Sequence, residues 1–188
     1  MTTFSVPYLC RAMAVASFTI STEQYGAPQA VANVQGVSIE PVHDTDELKI
    51  LGAIEEGLSV LTAMDIGVSF GGFDWLSLAI MAGTDNESSG STLNINEDEG
   101  GTNMPYFGAA LAFPLQGGRE MHVYLPKCQL QSRIPIDVSE QNQFSIAEID
   151  IRAMRLRLSD GTTLPIRKTM EYDTQTDLPA DFNAAFGL

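Results

Sequence analysis

Residues 67–71 carry the sequence pattern with the clearest link to chemistry, a candidate nucleophilic serine. They read Gly-Val-Ser-Phe-Gly and match the G-x-S-x-G turn, in which a serine, here Ser69, stands between a strand and a helix. A hydrolase of that kind also needs a parallel sheet with several helices and a histidine later in the chain. The chain has one clear helix pattern, and His122 falls inside an alternating strand pattern. We interpret Ser69 as part of a strand end and keep a Ser69 hydrolase as an alternative function.

A second pattern matches a calcium-binding loop in part. Asp44, Asp46 and Glu55 occupy positions 1, 3 and 12 of such a loop. However, Leu48 and Lys49 stand where the loop requires an oxygen ligand and a turn-forming glycine. No helix pattern precedes the segment either, so the sequence does not predict a calcium site.

The histidines and cysteines also lack the spacing that metal or redox sites require. His43 and His122 are isolated, with no cysteine or second histidine at ligand spacing. Cys10 and Cys128 are too few for a disulfide framework and form no C-x-x-C motif, so we predict buried free thiols. We therefore predict no catalytic residue, no cofactor and no metal, and a protein that is not an enzyme.

The charge balance is acidic for a chain of 188 residues. Ten Lys and Arg stand against 24 Asp and Glu, which gives a formal net charge of −14. Residues 50–118 contain nine acids and no Lys or Arg, so one part of the folded surface should be strongly negative. Such a surface repels phosphate groups, which argues against a nucleic-acid reader and against binding to anionic membranes. No run approaches eighteen apolar residues, and we expect no membrane insertion.

Alternating polarity predicts that most elements are strands of an antiparallel sheet. In residues 58–70, even-numbered side chains are expected on the apolar face and odd-numbered ones, Asp65 among them, on the other. An Asp-Gly pair at residues 160–161 predicts a tight hairpin turn. Further strands are predicted at residues 34–40, 49–51, 104–115, 120–125, 128–132 and 144–158, with a turn-rich segment at 41–46.

The segment 144–158 changes phase along its length. Ile149 and Ile151 share one face, whereas Leu156 and Leu158 have the opposite parity. A β-bulge near Ala153 would account for this change and would let one strand serve two sheets.

One helix is predicted, over Trp75–Ala82, with Asp74 as its N-cap and Gly83 at its C-terminal end. Because it is apolar almost all round, it must be covered on more than one side. The fold class is therefore mainly β, an antiparallel sandwich or barrel with one α-helix. We predict a single domain over residues 1–170, with a polar acidic loop at 84–103, followed by a C-terminal arm at 171–188.

The order of these elements resembles the major tail-tube proteins of long-tailed, siphovirus-type bacteriophages. The segments that carry the resemblance cover most of residues 8–158: Tyr25-Gly26-Ala27-Pro28 with residues 34–41, then residues 58–62, the helical segment 73–83, and residues 122–128 and 143–148. The resemblance implies a tail-tube-like fold and a structural role. Such proteins form rings, usually hexameric, whose inner sheets join into one barrel, and the rings stack into a tube that conducts DNA.

The resemblance also implies partners and a location. The chain would bind copies of itself and other tail proteins, such as the tape-measure and tail-terminator proteins. DNA would pass without specific binding, and the protein would be made in the host cytoplasm and reside in the virion tail. The alternatives are another virion part, such as a tail-terminator or capsid-decoration protein, and a small-ligand-binding β-barrel.

The family places its ring-to-ring loop between two early strands, which corresponds here to residues 41–57. This segment carries four large aliphatic side chains, which we predict as inter-ring contacts: Leu48, Ile50, Leu51 and Ile54. The alternative is an ordinary strand folded onto the sheet of the same subunit. Asp65 is the candidate lumen-facing acid, because it points away from the apolar face of its strand and belongs to the base-free segment.

Overall fold

The computed structural model describes residues 10–31, 34–50, 53–70, 75–83, 86–89, 92–95, 104–131 and 148–188. Within these residues, two α-helices accompany a large set of strands. In chain order the elements are β1 (Ala12–Thr19), β2 (Gln24–Tyr25), β3 (Gln29–Val31), β4 (Val34–Ile50), β5 (Ala53–Phe70), α1 (Trp75–Ala82), β6 (Asn86–Ser89), β7 (Thr92–Ile95), β8 (Phe107–Pro114), β9 (Glu120–Leu130), β10 (Glu148–Met154), β11 (Leu156–Arg157), β12 (Thr163–Leu164), β13 (Lys168–Tyr172) and α2 (Phe182–Phe186).

Nine strands form one antiparallel sheet in the order β2-β1-β8-β9-β10-β5-β4, with β3 also paired to β1 and β13 to β9. Strand β9 is long enough to hold two neighbours on the same side, β13 along its first half and β10 along its second. Two separate hairpins, β6–β7 and β11–β12, complete the described structure. The predicted fold class, mainly β and antiparallel, is confirmed.

The large sheet must roll, because two residues connect its opposite ends. Strand β3 ends at Val31 beside β1, whereas β4 begins at Val34 at the far end of the strand order. Successive Cα atoms are 3.8 Å apart, so the Cα atoms of Val31 and Val34 lie within about 11 Å of each other. Val31 and Val37 accordingly belong to the same buried cluster. The sheet therefore curves around its apolar face, as in a barrel or sandwich.

The interior of the rolled sheet is filled by apolar side chains. Its largest fully buried members are Met13, Ile66, Met81, Phe107, Leu111, Leu125, Ile149 and Ile151. Helix α1 packs against β1 and β3 and buries Ala79 and Met81. It ends as predicted at Gly83, which has a φ of +77° and donates its N–H to the carbonyl of Ala79. The predicted N-cap, Asp74, lies outside the described residues.

A second apolar cluster lies on the outer face of the sheet, over β1, β8 and β9. Its members are Ala14, Ala16, Phe18, Tyr25, Ala110, Tyr124, Leu156, Phe182 and Phe186. Helix α2 starts after Asp181, whose carboxylate accepts the N–H of Asn183 at 2.8 Å, and it ends at Gly187 with a φ of +82°. The predicted C-terminal arm thus lies against its own sheet, because Phe182 and Phe186 are buried there.

The turn-rich segment predicted at residues 41–46 is wrong, since these residues continue strand β4. Pro41 pairs with Met64 and Asp46 with Leu58. A proline is compatible with this strand because β4 stands at the end of the sheet, where an outward N–H has no ladder bond to lose. The predicted strand at 49–51 is the last part of the same element, and residue 51 lies outside the described residues.

The alternation predicted for residues 58–70 holds only for the second half of β5. Met64, Ile66, Val68 and Phe70 are buried, as predicted. A register shift between Val42 and His43 leaves no residue of β4 directly opposite Thr62. Beyond this shift Leu61 packs against the core and Val60 is 45% exposed, so the predicted faces are exchanged. One extra residue in a strand has this effect because side chains alternate with a period of two.

The two strands predicted at residues 120–125 and 128–132 are one strand, β9. It continues through Pro126 because the register shifts between Phe107 and Ala109 of β8. Residues 126 and 127 stand there against the single residue 108, which is the arrangement of a β-bulge. A bulge accommodates a proline that would otherwise interrupt the ladder.

The change of face predicted near Ala153 is confirmed, but the predicted β-bulge is wrong, because β10 pairs with β5 and β9 without a register shift and ends at Met154. Ile149 and Ile151 face the interior, whereas Leu156 belongs to the outer cluster. The strand ends at Met154, and β11 then pairs with β12 through the predicted Asp-Gly turn, in which Gly161 has a φ of +90°. Within residues 84–103, which were predicted as a polar acidic loop, the structure has the hairpin β6–β7.

Candidate functional site

Strands β4 and β5 form a long β-hairpin that extends past the strand beside it. Strand β10 pairs with β5 only from Ala63 to Ser69. Beyond that point, residues 43–50 and 53–61 pair with each other and with no other described strand. We call these residues the hairpin arm. At the rise of a β-strand, eight residues carry it about 25 Å beyond the rest of the sheet.

The predicted inter-ring residues lie at the far end of the hairpin arm. Leu48 is paired with Glu56, Ile54 with Lys49, and Ile50 with Ala53. Leu51 lies outside the described residues. The segment forms two strands that pair with each other, and over residues 43–50 and 53–61 they pair with no other described strand. The role of the four aliphatic residues as contacts between rings stays a prediction.

The base of the hairpin arm is exposed and polar. Val60 is 45% exposed, and Ser59 and His43, which lie within hydrogen-bond distance at 3.2 Å, are both exposed.

Among the described strands, β4 has a partner only on its β5 side. Its other side presents backbone N–H and C=O groups that can pair with a further strand.

Next to the hairpin arm, the outer face of β4, β5 and β10 carries a row of acids. Glu40 of β4 stands opposite Asp65 of β5, and Asp65 stands opposite Arg152 of β10. In neighbouring rows Glu148 and Asp150 of β10 are exposed on the same face. We call these four carboxylates, with Arg152, the acidic face. It lies on the outer side of the sheet, beside the area that the C-terminal segment covers.

Asp65 is held by Arg152 in a two-pronged ion pair. The Nε and Nη2 atoms of Arg152 donate to the two carboxylate oxygens of Asp65 at 2.7 and 2.9 Å. The hydrogen bond from Arg152 lowers the pKa of the Asp65 carboxyl. The side chains are 41% and 38% exposed, so water screens the attraction. Asp65 thus lies on the outer surface, as predicted, with its charge partly balanced.

Three of the four acids were missed at the sequence level. The strongly negative surface was expected from residues 50–118, but Glu40, Glu148 and Asp150 lie outside that range. The signal for two of them was present in the alternation of β10, because Glu148, Asp150 and Arg152 alternate with the buried Ile149 and Ile151. Their proximity to Glu40 could not be read in the same way, since it depends on the pairing of β4, β5 and β10.

The candidate nucleophile and its histidine are not brought together. Ser69 lies in β5 between Gly36 and Glu148, and its hydroxyl donates to the carbonyl of Gly36 at 3.3 Å. His122 is fully buried in β9, where its ring nitrogens lie 3.2 Å from Glu120 and 3.1 Å from the hydroxyl of Tyr124. The strand–helix elbow therefore has no histidine within reach among the described residues.

The partial calcium-loop match is not a loop. Asp44 and Asp46 lie in strand β4, and Glu55 lies in β5. Within the described residues, no group of three or more His, Cys, Asp or Glu side chains is placed to hold a metal ion. Cys10 and Cys128 are buried free thiols, as predicted, and burial raises the pKa of the Cys10 thiol to about 11.

No protein-family description matches this chain, and no curated protein matches its sequence. Among the described residues there is no helix of the length and apolarity needed to cross a membrane.

Proposed function

We propose that this chain is the repeating subunit of a tube, the tail tube of a long-tailed bacteriophage. Copies would join side by side into rings, with six subunits expected from the resemblance. The observation that carries the proposal is the hairpin arm together with the free side of β4. Both are long and lack a strand partner among the described residues. A second copy of the chain offers the matching strand and surface.

In this proposal the two features have different tasks. The free side of β4 would pair with a strand of the neighbouring subunit, so that the sheets of a ring become continuous. The hairpin arm would reach the next ring, and Leu48, Ile50, Leu51 and Ile54 would be buried there. The four aliphatic residues would then lose contact with water only on stacking, which supplies the driving force for tube growth.

The acidic face supports a conduit for DNA. It would line the lumen, where carboxylates repel the phosphate backbone and so prevent adhesion during passage. Four acids and one base on this face fit that task, although Asp65 is already paired with Arg152. Accordingly, DNA would pass without specific binding. The partners would be further copies of the chain and other tail proteins, such as the tape-measure and tail-terminator proteins, in a virion tail assembled in the host cytoplasm.

The competing functions differ from a tube in what they require of the structure. A ligand-binding barrel needs a cavity, but the described interior is occupied by buried side chains such as Phe107 and Ile151. A Ser69 hydrolase needs a histidine beside Ser69. A tail-terminator or capsid-decoration protein would use the same exposed strand but would stop at a closed ring or trimer.

Electron microscopy of the purified full-length protein at increasing concentration tests the proposal. Hollow tubes of variable length and constant diameter are expected. Single rings or trimers that do not grow would favour a terminator or decoration protein. Monomers at every concentration would exclude self-assembly of this chain and leave a binding function. Wild-type protein treated with a fluorophosphonate, with Ser69→Ala as the control, tests the hydrolase in the same preparation.

A further inference from the structure

The last sixteen residues, 173–188, cover the outer face of the sheet and are called the strap. The strap follows β13, which ends at Tyr172. The ring of Tyr172 packs on the ring of His122 at a centroid distance of 4.5 Å, and its hydroxyl oxygen lies 3.2 Å from that of Tyr124. Of its apolar residues, Phe182 and Phe186 belong to the outer cluster, and Leu178 and Ala185 pack against it. None of them belongs to the cluster inside the rolled sheet. The strap thus closes a core that is separate from the main one.

The first attachment of the strap is the ion pair between Arg11 and Glu120, which binds the backbone of Thr176. Glu120 is almost fully buried and is paired with Arg11 through both carboxylate oxygens. Glu120 accepts the N–H of Thr176 at 2.9 Å, and Arg11 donates to the carbonyl of Thr176 at 2.7 Å. Both backbone groups of Thr176 are therefore satisfied by the ion pair, as a neighbouring strand would satisfy them. The ion pair therefore contacts the backbone of Thr176 and not its side chain.

The second attachment repeats this arrangement with an amide. The side-chain oxygen of Asn183 accepts the N–H of Tyr25 at 2.8 Å, and its nitrogen donates to the carbonyl of Tyr25 at 3.1 Å. Here the strap provides the side chain and the sheet provides the backbone. Phe182 and Phe186 flank Asn183 and pack on the Tyr25 ring at centroid distances of 6.0 and 4.9 Å.

Between the two attachments the strap has little other support. Residues 173–181 form no strand or helix, and most of them are exposed. Helix α2 has five residues, too few to be stable alone, so it depends on the sheet beneath it. The remaining contacts of the strap are the packing of Leu178, Phe182, Ala185 and Phe186 on the outer cluster and a hydrogen bond from Lys168 Nζ to the carbonyl of Ala185 at 3.3 Å. None of these strap residues belongs to the interior cluster.

We propose that the strap opens from the sheet as a unit while the rolled sheet stays folded, and that the Arg11–Glu120 and Asn183 attachments set how often it opens. Opening uncovers the apolar surface formed by Phe18, Tyr25 and Tyr124. The strap opens within one copy of the chain, whether or not copies assemble into a tube. Structural units of this kind open with a smaller free energy than the whole protein requires.

Native-state amide hydrogen exchange, followed by NMR on the full-length protein, tests the proposal. The reporters are the amides of Gly187 and Leu188, which are hydrogen-bonded to the carbonyl of Asn183, and the amides of β8 and β9. In the wild type, the strap amides should exchange at least about tenfold faster than those of β8 and β9. Glu120→Gln and Asn183→Ala should each accelerate the strap amides by about a further tenfold. Asn183→Ala should accelerate the β8 and β9 amides by no more than the strap amides, because the Asn183 contact is lost both when the strap opens and when the whole protein unfolds.

Glu171→Gln is the matched control, because it makes the same chemical change at an ion pair on the neighbouring strand. Glu171 is paired with Arg119, and both side chains are about half exposed. It should leave the strap amides within about twofold of wild type. One common exchange rate for strap and sheet in the wild type would overturn the proposal. So would an Asn183→Ala variant whose strap amides exchange at the wild-type rate, or a Glu171→Gln variant that opens the strap as Glu120→Gln does.

Discussion

At the scale of single residues, Glu120 is a carboxylate held almost fully buried in the sheet. Burial of its carboxyl opposes ionisation, but hydrogen bonds from Arg11, the Thr176 backbone and His122 outweigh this cost and lower the pKa of Glu120 to about 2. Its ordinary value is 4.5. A carboxyl with a lowered pKa stabilises the fold above the unfolded value, and this stabilisation is lost as the pH falls through the folded value.

We therefore expect the free energy of unfolding to fall between about pH 4.5 and pH 2, by up to about 3 kcal/mol from this group. Glu120→Gln should be less stable than wild type by a similar amount at pH 7, and the difference should shrink towards pH 2. Urea unfolding at pH 7, 4 and 2.5 measures both effects. Equal pH dependence in the two proteins would show that Glu120 is not the responsible group.

Asp65, in contrast to Glu120, forms an ion pair that should contribute little to the free energy of unfolding. Its ion pair with Arg152 has similar geometry to that of Glu120, but both side chains are more than a third exposed. Asp65→Asn should therefore change the free energy of unfolding by less than about 1 kcal/mol at pH 7. Urea unfolding beside Glu120→Gln measures this. A loss as large as that of Glu120→Gln would mean that Asp65 is buried in the folded protein and does not face solvent.

At the scale of elements, local patterns in the sequence were reliable where neighbouring residues decide the structure. The helix Trp75–Ala82, its end at Gly83 and the turn at residues 160–161 follow from such patterns. The sequence did not reveal that residues 41–46 continue a strand, because the pairing with β5 overrides their turn propensity. It also did not reveal the buried partners of His122, although Glu120, His122 and Tyr124 alternate with apolar residues in β9.

The contribution of the hairpin arm can be tested by changing its tip. Leu48→Ser combined with Leu51→Ser should leave single rings intact and abolish tubes, because burial of the tip is expected only between rings. Size-exclusion chromatography and electron microscopy distinguish rings from tubes. Ile20→Ser is the matched control, since Ile20 is 67% exposed and lies outside the hairpin arm, in the turn after β1, and its tubes should be normal.

Two other results for the double variant would contradict this role of the hairpin arm. Normal tubes would show that the tip makes no contact that matters for stacking. A large loss of subunit stability in urea, without any rings, would show that the tip packs on its own subunit.

At the scale of the whole molecule, charge opposes assembly. Each copy carries a formal charge of −14, and the acidic face brings Glu40, Asp65, Glu148 and Asp150 of every copy towards one surface. If rings place these faces around a common lumen, like charges approach to distances at which the ionic strength decides their repulsion. Salt should therefore promote association, although it weakens each exposed ion pair within the subunit.

We expect tube formation to be faster at 0.5 M than at 0.05 M sodium chloride, as followed by light scattering and checked by microscopy. Two variants, one lacking an acid and one lacking a base, separate charge repulsion between subunits from a general effect of salt on apolar contacts. Glu148→Gln should assemble faster than wild type at low salt, and Arg152→Gln more slowly, because the first reduces and the second increases the net negative charge of the acidic face. Both differences should become small at high salt. Assembly rates that do not depend on salt, or equal rates for the two variants, would show that the acidic faces do not meet.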